Sequence, residues 1–238
     1  MRDIFNFILH PSIQLLKEDN IRNKLIRFKN CILFSIASLF ISSILIYLIN
    51  FVINQFGIHP NIIDIHKKGR SLLNHYSFTQ AWLLSAFIGP VLEELEFRLL
   101  LNPCRITIAI SCSLFYWVHN GGSFKTETLL TANFLFLTIQ SLFFASFLYY
   151  LITETVIEEL KHYKYKLLVW GTILVFTFVH LKNFEPLTFP LLLLSPILLL
   201  YIFFTGWVLT YLRLRNGILW AIIFHILHNT SLNLIKGF

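Results

Sequence analysis

Glu93-Glu94-Leu95-Glu96-Phe97-Arg98 sets three carboxylates and a guanidinium between largely apolar runs, Ala81 to Leu92 before it and Leu99 to Leu101 after it. An ionised side chain at the centre of a bilayer costs about 3 kcal/mol on insertion scales, so such groups persist where they face a protein interior or a water-filled cavity. On a helix, Glu94 and Arg98 share a face and can neutralise each other. Glu93 projects about 100° away and is free to face something else, with Glu96 three residues further on. An ion pair that only locks helix packing would account for Glu94 and Arg98 and leave Glu93 without a reason. Gly89-Pro90 precedes the carboxylates. Pro90 lacks a backbone donor, which predicts a kink that opens space and leaves a carbonyl for water.

The partners for such carboxylates are histidines inside other apolar runs. Phe176-Thr177-Phe178-Val179-His180 ends one run, and Phe224-His225-Ile226-Leu227-His228-Asn229 lies within the last. His225 and Asn229 are four apart and share a face. An imidazole can share a proton with a carboxylate and so activate a water. A second imidazole and an amide are donors suited to an oxyanion. Phe115-Tyr116-Trp117-Val118-His119 repeats the aromatic-to-histidine spacing in the run that follows the glutamates.

Other hydrolytic chemistries find no residues. Asp3, Asp19 and Asp64 all fall outside the apolar runs, which excludes a pair of intramembrane aspartates. No HExxH is present for a zincin helix and no GxSxG for a serine nucleophile. Cys31, Cys104 and Cys112 form no CxxC or Cys/His finger spacing, so neither a disulfide framework nor a structural zinc site is indicated.

The elements that must position these residues are membrane helices. The chain has 238 residues, of which 56% are hydrophobic and 13% charged, against about a quarter charged in a soluble domain. An all-α, polytopic transmembrane bundle is therefore expected. Apolar segments near 31–53, 78–101, 104–119, 128–152, 166–182, 187–212 and 216–235 predict about seven spans. Residues 1–30 read as an N-terminal amphipathic segment on the membrane surface. Residues 1–77 form a surface segment, first span and loop, and residues 78–238 the core that carries the chemistry. The net charge of +7 comes from positives that flank the spans, which sets orientation with the N-terminus inside and does not indicate nucleic acid. Lys67, Lys68 and Arg70 dissent from that topology. The N-terminus lacks a signal-peptide pattern, so insertion is expected through the first span, into a prokaryotic plasma membrane.

Taken in order, Glu93-Glu94-x-x-x-Arg98, Phe176-x-x-x-His180 and His225-x-x-x-Asn229 resemble the motifs of the CPBP family, the CAAX-protease and bacteriocin-processing (Abi) intramembrane proteases. Tyr211-Leu212-Arg213-Leu214-Arg215-Asn216-Gly217 resembles the family's lead-in to its last motif. The likeness covers about residues 78–235. It implies an intramembrane endopeptidase acting on a peptide or protein substrate, with active-site helices around a water-accessible cavity. Glu93 and His180 would polarise the hydrolytic water, His225 and Asn229 would stabilise the oxyanion, and Glu94 and Arg98 would hold the helix and tune Glu93. The family has been described both as glutamate-type and as metal-dependent. No obligatory metal is expected, although Glu93, His180 and His225 would be the ligands of an ion such as zinc. His180 is favoured over His119 as the partner of Glu93, because its separation from His225 and the following Leu181-Lys182-Asn183-Phe184 fit the resemblance. Counting about 1.5 Å per residue from the nearest flanking charge puts His180 nearly two turns deeper than Glu93 and His225. The competing readings are a non-catalytic immunity or scaffold protein on the same fold, and a proton-coupled transporter. The latter is disfavoured by the lack of paired interrupted spans in repeated halves.

Overall fold

A computed structural model describes residues 2–11, 20–55, 77–122, 131–184 and 189–236, and among these all regular structure is helical. The elements are α1 (Arg2–Leu9), α2 (Ile21–Gln55), α3 (Phe78–Trp82), α4 (Gly89–Arg98), α5 (Arg105–His119), α6 (Ala132–Leu151), α7 (Glu154–Glu158), α8 (Tyr165–Val179), α9 (Phe189–Leu198), α10 (Leu200–Arg215) and α11 (Ile218–Lys236). A π-helical segment, Leu83–Ile88, joins α3 to α4, and another, Glu159–Tyr163, follows α7. Turns of 3-10 helix extend α4 over Leu99–Leu101 and α8 over His180–Phe184.

The expectation of a helical membrane protein holds. Among the described residues, α2, α6 and the continuous stretch Tyr165–Phe184 are long and apolar enough to cross a bilayer. Leu192–Leu198 and Leu200–Arg215 make a fourth candidate, bent by 47°, with Pro196 inside the first of the two helices. α5 has 15 residues, about 22 Å of rise against a hydrocarbon core of about 30 Å. α11 is another shorter apolar helix, over Ile218–Leu234. The face that α6 turns outward carries Phe136, Ile139, Leu142 and Phe143, all exposed, as a lipid-facing helix requires.

α10 is the central rod. Thr205 through Leu212 are buried without interruption, and α2, α8 and α11 pack around it. A helix that is buried on every side reads as apolar on every side. Gly217 takes φ 105°, a conformation open to glycine at little cost, and reverses the chain between α10 and α11.

Within residues 1–30, where an amphipathic surface segment is expected, α1 is a helix of eight residues that packs on the bundle. α1 docks on α10: Ile4 and Phe7 are buried, Phe7 meets the Tyr211 ring edge-on at 5.4 Å, and the Tyr211 hydroxyl donates to Asp3 Oδ2 at 2.5 Å. Ile4 and Phe7 thus face protein, while Phe5 is exposed. α2 begins at Ile21, ten residues before the expected span, because the charged stretch continues the helix beyond its apolar part. Arg27 Nε donates to Asn216 Oδ1 (2.8 Å) and Asn216 Nδ2 to the Lys24 carbonyl (3.0 Å), fastening that extension to the α10–α11 turn. Ile4, Phe7, Cys31 and Phe34 belong to the same apolar core as Phe97, Phe176, Trp207 and Phe224. The Lys67–Arg70 cluster lies outside the described residues.

Candidate active site

Before the glutamates the helix passes through a π-helical turn, Leu83–Ile88. The Gly89 N–H reaches back to the Leu84 carbonyl, and Pro90 has no N–H. The Ser85 carbonyl therefore loses both of its helical partners. The expectation that a freed carbonyl would be left for water is corrected here: Asn229 Nδ2 donates to the Ser85 carbonyl at 3.0 Å. One turn later Asn233 Nδ2 donates to Ser85 Oγ at 2.8 Å. Asn229 thereby ties α11 to the π-helical turn that precedes the carboxylates.

α4 then presents Glu93 and Glu94 in different directions, as their spacing requires. Glu94 and Arg98 are fully buried, with Arg98 Nε 3.7 Å from Glu94 Oε2. The guanidinium lies over the Phe176 ring, 4.2 Å from its centroid, and Nη2 donates to the Gly206 carbonyl at 3.2 Å. Arg98 is thus held by a carboxylate, a ring face and the backbone of α10. His225 Nδ1 donates to Glu94 Oε1 at 2.9 Å, so the order inward is Arg98, Glu94, His225.

Glu93 faces the other way and is 29% exposed at its side chain. Its Oε2 is 3.7 Å from His225 Nε2 and 3.8 Å from His180 Nε2. Both separations are too long for a direct hydrogen bond and of the length that a single water bridges. Oε2 is buried and has no hydrogen-bond partner among the described residues. His180 is fixed from behind, because its Nδ1–H donates to the Phe176 carbonyl at 2.7 Å. A carbonyl can only accept, so Nδ1 carries a hydrogen and Nε2 is the nitrogen that faces Glu93.

The structure brings Glu93, Glu94, Arg98, His180 and His225 together. It sets Asn229 one turn beyond His225, bonded to Ser85. His119 belongs to a different pair: its Nε2 is 2.7 Å from Glu96 Oε1. The depth count misplaced His180, because Lys166 is no marker of level. It sits in the first turn of α8, beside Tyr165, whose hydroxyl donates to the Leu101 carbonyl.

Three parts of this arrangement went unread in the sequence. Gly206 offers its carbonyl to Arg98 and lets Phe176 approach. The Phe176 carbonyl orients His180, a contact that the four-residue spacing of Phe176 and His180 could have suggested. Glu96, His119 and Lys182 form a chain of their own.

A tetrahedral zinc with bonds near 2.0 Å holds its donors about 3.3 Å apart. Glu93 Oε2 is further than that from both Nε2 atoms, and among the described residues no three His, Cys, Asp or Glu side chains are spaced to hold a metal.

No curated protein and no solved structure matches this chain. The model of one family, described as type II CAAX prenyl endopeptidase Rce1-like, matches residues 75–231, a stretch that begins just before α3 and ends within α11. That stretch holds the π-helical turn, the carboxylates and both histidine motifs, and the chain therefore belongs to the Rce1-like family of type II CAAX prenyl endopeptidases.

Proposed function

We propose that this membrane protein hydrolyses peptide bonds of a peptide or protein substrate at the bilayer, with Glu93 and His180 activating the water and His225 and Asn229 receiving the oxyanion. The observation that carries the reading is the orphaned Glu93 Oε2 with two imidazole Nε2 atoms within 3.8 Å of it. A buried acceptor without a donor is unfavourable unless a water or a proton supplies one.

A water bound between Glu93 and His180 donates one hydrogen to each. Its oxygen attacks the scissile carbonyl carbon as Glu93 takes the proton. His225 carries hydrogens on both nitrogens in this mechanism. Nδ1–H stays on Glu94, whose buried charge balances the imidazolium, and Nε2–H meets the developing oxyanion. Asn229 spends one amide hydrogen on Ser85 and retains a second for the same oxygen. When the C–N bond breaks, Glu93 returns its proton to the departing amine. Arg98 pairs with Glu94, and Glu94 in turn fixes the direction of the His225 ring. No step requires a metal.

A scaffold on the same fold would need Glu94, Arg98 and His225 for packing, and would give no reason for the partly exposed Glu93 to face two imidazoles. The same reading takes α3 to α4, α5 and α11 as short crossings beside the longer ones, seven in all, in a prokaryotic plasma membrane. The test replaces His180 and His225 singly with Ala and follows cleavage of a membrane-bound peptide in liposomes. Loss of about two to four orders of magnitude in rate is expected for each, and undiminished cleavage by either variant would overturn the assignment.

A further inference from the structure

Beside the catalytic pair lies a second chain of polar groups that the mechanism does not use. Lys182 Nζ is 3.3 Å from His119 Nδ1, and His119 Nε2 is 2.7 Å from Glu96 Oε1. An ammonium can only donate, so Nδ1 accepts and the ring's one hydrogen sits on Nε2, pointing at Glu96. Each contact thus has one donor and one acceptor. Glu96 is almost wholly buried, His119 is partly so, and Lys182 is exposed. The Phe115 ring packs on His119 at 4.4 Å, and Ser111 Oγ donates to the Glu96 carbonyl. α5 therefore holds both ends of the link to α4.

Both ends of this chain are one step from the active site. Glu96 stands one turn after Glu93 on α4. Lys182 is two residues after His180, on the short 3-10 segment His180–Phe184. Such segments hold themselves poorly, because their internal hydrogen bonds are strained. Phe184 is buried against Leu198 and Leu199 and anchors the far end of this one. Toward α4 and α5, the hydrogen bond from Lys182 to His119 is the anchor. The contacts close a ring: Glu93 along α4 to Glu96, across to His119, across to Lys182, back along the 3-10 turn to His180, and over 3.8 Å to Glu93.

We propose that Glu96, His119 and Lys182 are positioning residues, a clamp that fixes the distance between the His180 imidazole and Glu93. This inference rests on the reading of His180 as the partner of Glu93. The clamp touches neither the bridging water nor the scissile bond, so its loss acts on turnover by letting His180 drift and leaves substrate binding alone.

Lys182 is the cleaner site to perturb, because removing His119 strands the buried Glu96 carboxylate and threatens folding. Lys182→Met keeps the apolar stem and removes the donor, and Lys182→Arg restores a donor. The full chain in liposomes is assayed with a membrane-bound peptide for kcat and KM, with thermal unfolding in parallel. His180→Ala serves as the control on the underlying reading. Lys182→Met is expected to lower kcat about three- to tenfold, the range for one charge-assisted hydrogen bond at a partly exposed site, with KM within twofold and Tm within about 2 °C. Lys182→Arg recovers most of kcat. Combined with His119→Gln, which keeps the contact to Glu96 and loses that to Lys182, Lys182→Met costs no more than the worse single change, since both break one ring. A wild-type kcat in Lys182→Met overturns the clamp, as does a change confined to KM, a parallel loss of Tm, or a multiplicative double variant. If His180→Ala retains full activity, the reading of the site fails, whatever Lys182→Met does.

Discussion

Gly206→Ala puts the packing beneath the site to the test. A Cβ built on Gly206 lies 2.8 Å from Phe176 Cδ1, 3.2 Å from Cε1 and 3.6 Å from Arg98 Nη2. Carbon atoms in contact sit about 3.5–4.0 Å apart, so the ring must retreat by more than half an ångström. It has little room to do so. Phe176 is 1% exposed, Phe97 stands edge-on to it at 5.4 Å, and the Arg98 guanidinium covers its face. Overpacking of this kind costs about 1–3 kcal/mol, against a gain of about 1 kcal/mol when Ala replaces Gly within a helix. The net expectation is a loss of up to about 2 kcal/mol, with a larger effect on activity, since the displaced ring supplies the face that holds Arg98 and belongs to the residue whose carbonyl orients His180. Gly171, within α8, is the matched control: nothing lies within 4 Å of its Cβ position, so Gly171→Ala should be neutral or stabilising by up to about 1 kcal/mol. The assay is thermal unfolding in detergent alongside peptide cleavage in liposomes. If Gly206→Ala proves as stable and as active as Gly171→Ala, the tight Gly206–Phe176–Arg98 contact has no energetic meaning and the reasoning fails.

Glu94→Gln removes the charge that faces both Arg98 and His225. Unpairing a buried ion pair costs about 3–5 kcal/mol, so a marked fall in Tm together with at least a tenfold fall in kcat is expected, and wild-type values for both would refute its placement. Tyr211→Phe loses the hydrogen bond to Asp3 that docks α1 on α10. A drop of about 1–2 kcal/mol in stability with unchanged kcat is expected, and a selective loss of kcat would contradict the separation of that contact from the site. Dialysis against a chelator should leave cleavage intact, since the mechanism uses no metal. Activity that vanishes on chelation and returns with zinc would overturn that step.

Much of the fold and of the site could be read from residue types and spacing because membrane chemistry sharpens both. Glu93, Glu94 and Arg98 stand out in an apolar run because their presence there needs a reason. The four-residue spacings of Glu94–Arg98 and His225–Asn229 translate directly into shared helix faces. The use of those faces was less legible. Asn229 was expected at the oxyanion, and the structure adds that its amide caps the Ser85 carbonyl, because the π-helical turn arises from backbone pairing that Gly89-Pro90 permits and does not dictate. Glu96 and His119 lie 23 residues apart, and Lys182 a further 63, so their meeting depends on helix crossing angles that no local period encodes. The same holds for Gly206, whose importance lies in an absent side chain. α1 shows a related limit: an amphipathic helix has the same pattern whether its apolar residues meet lipid or protein, and only the structure shows that Phe7 meets Tyr211 of α10.

The central claim is that Glu93 receives the proton of the attacking water in a pocket shared with His180 and His225. Glu93→Gln tests it most directly, because the amide keeps the shape of the side chain and cannot take up the proton. Initial rates of peptide cleavage by the purified full chain in liposomes should fall by about three orders of magnitude while Tm stays within about 2 °C of the parent protein. A Glu93→Gln protein that cleaves within threefold of the parent rate would contradict the account.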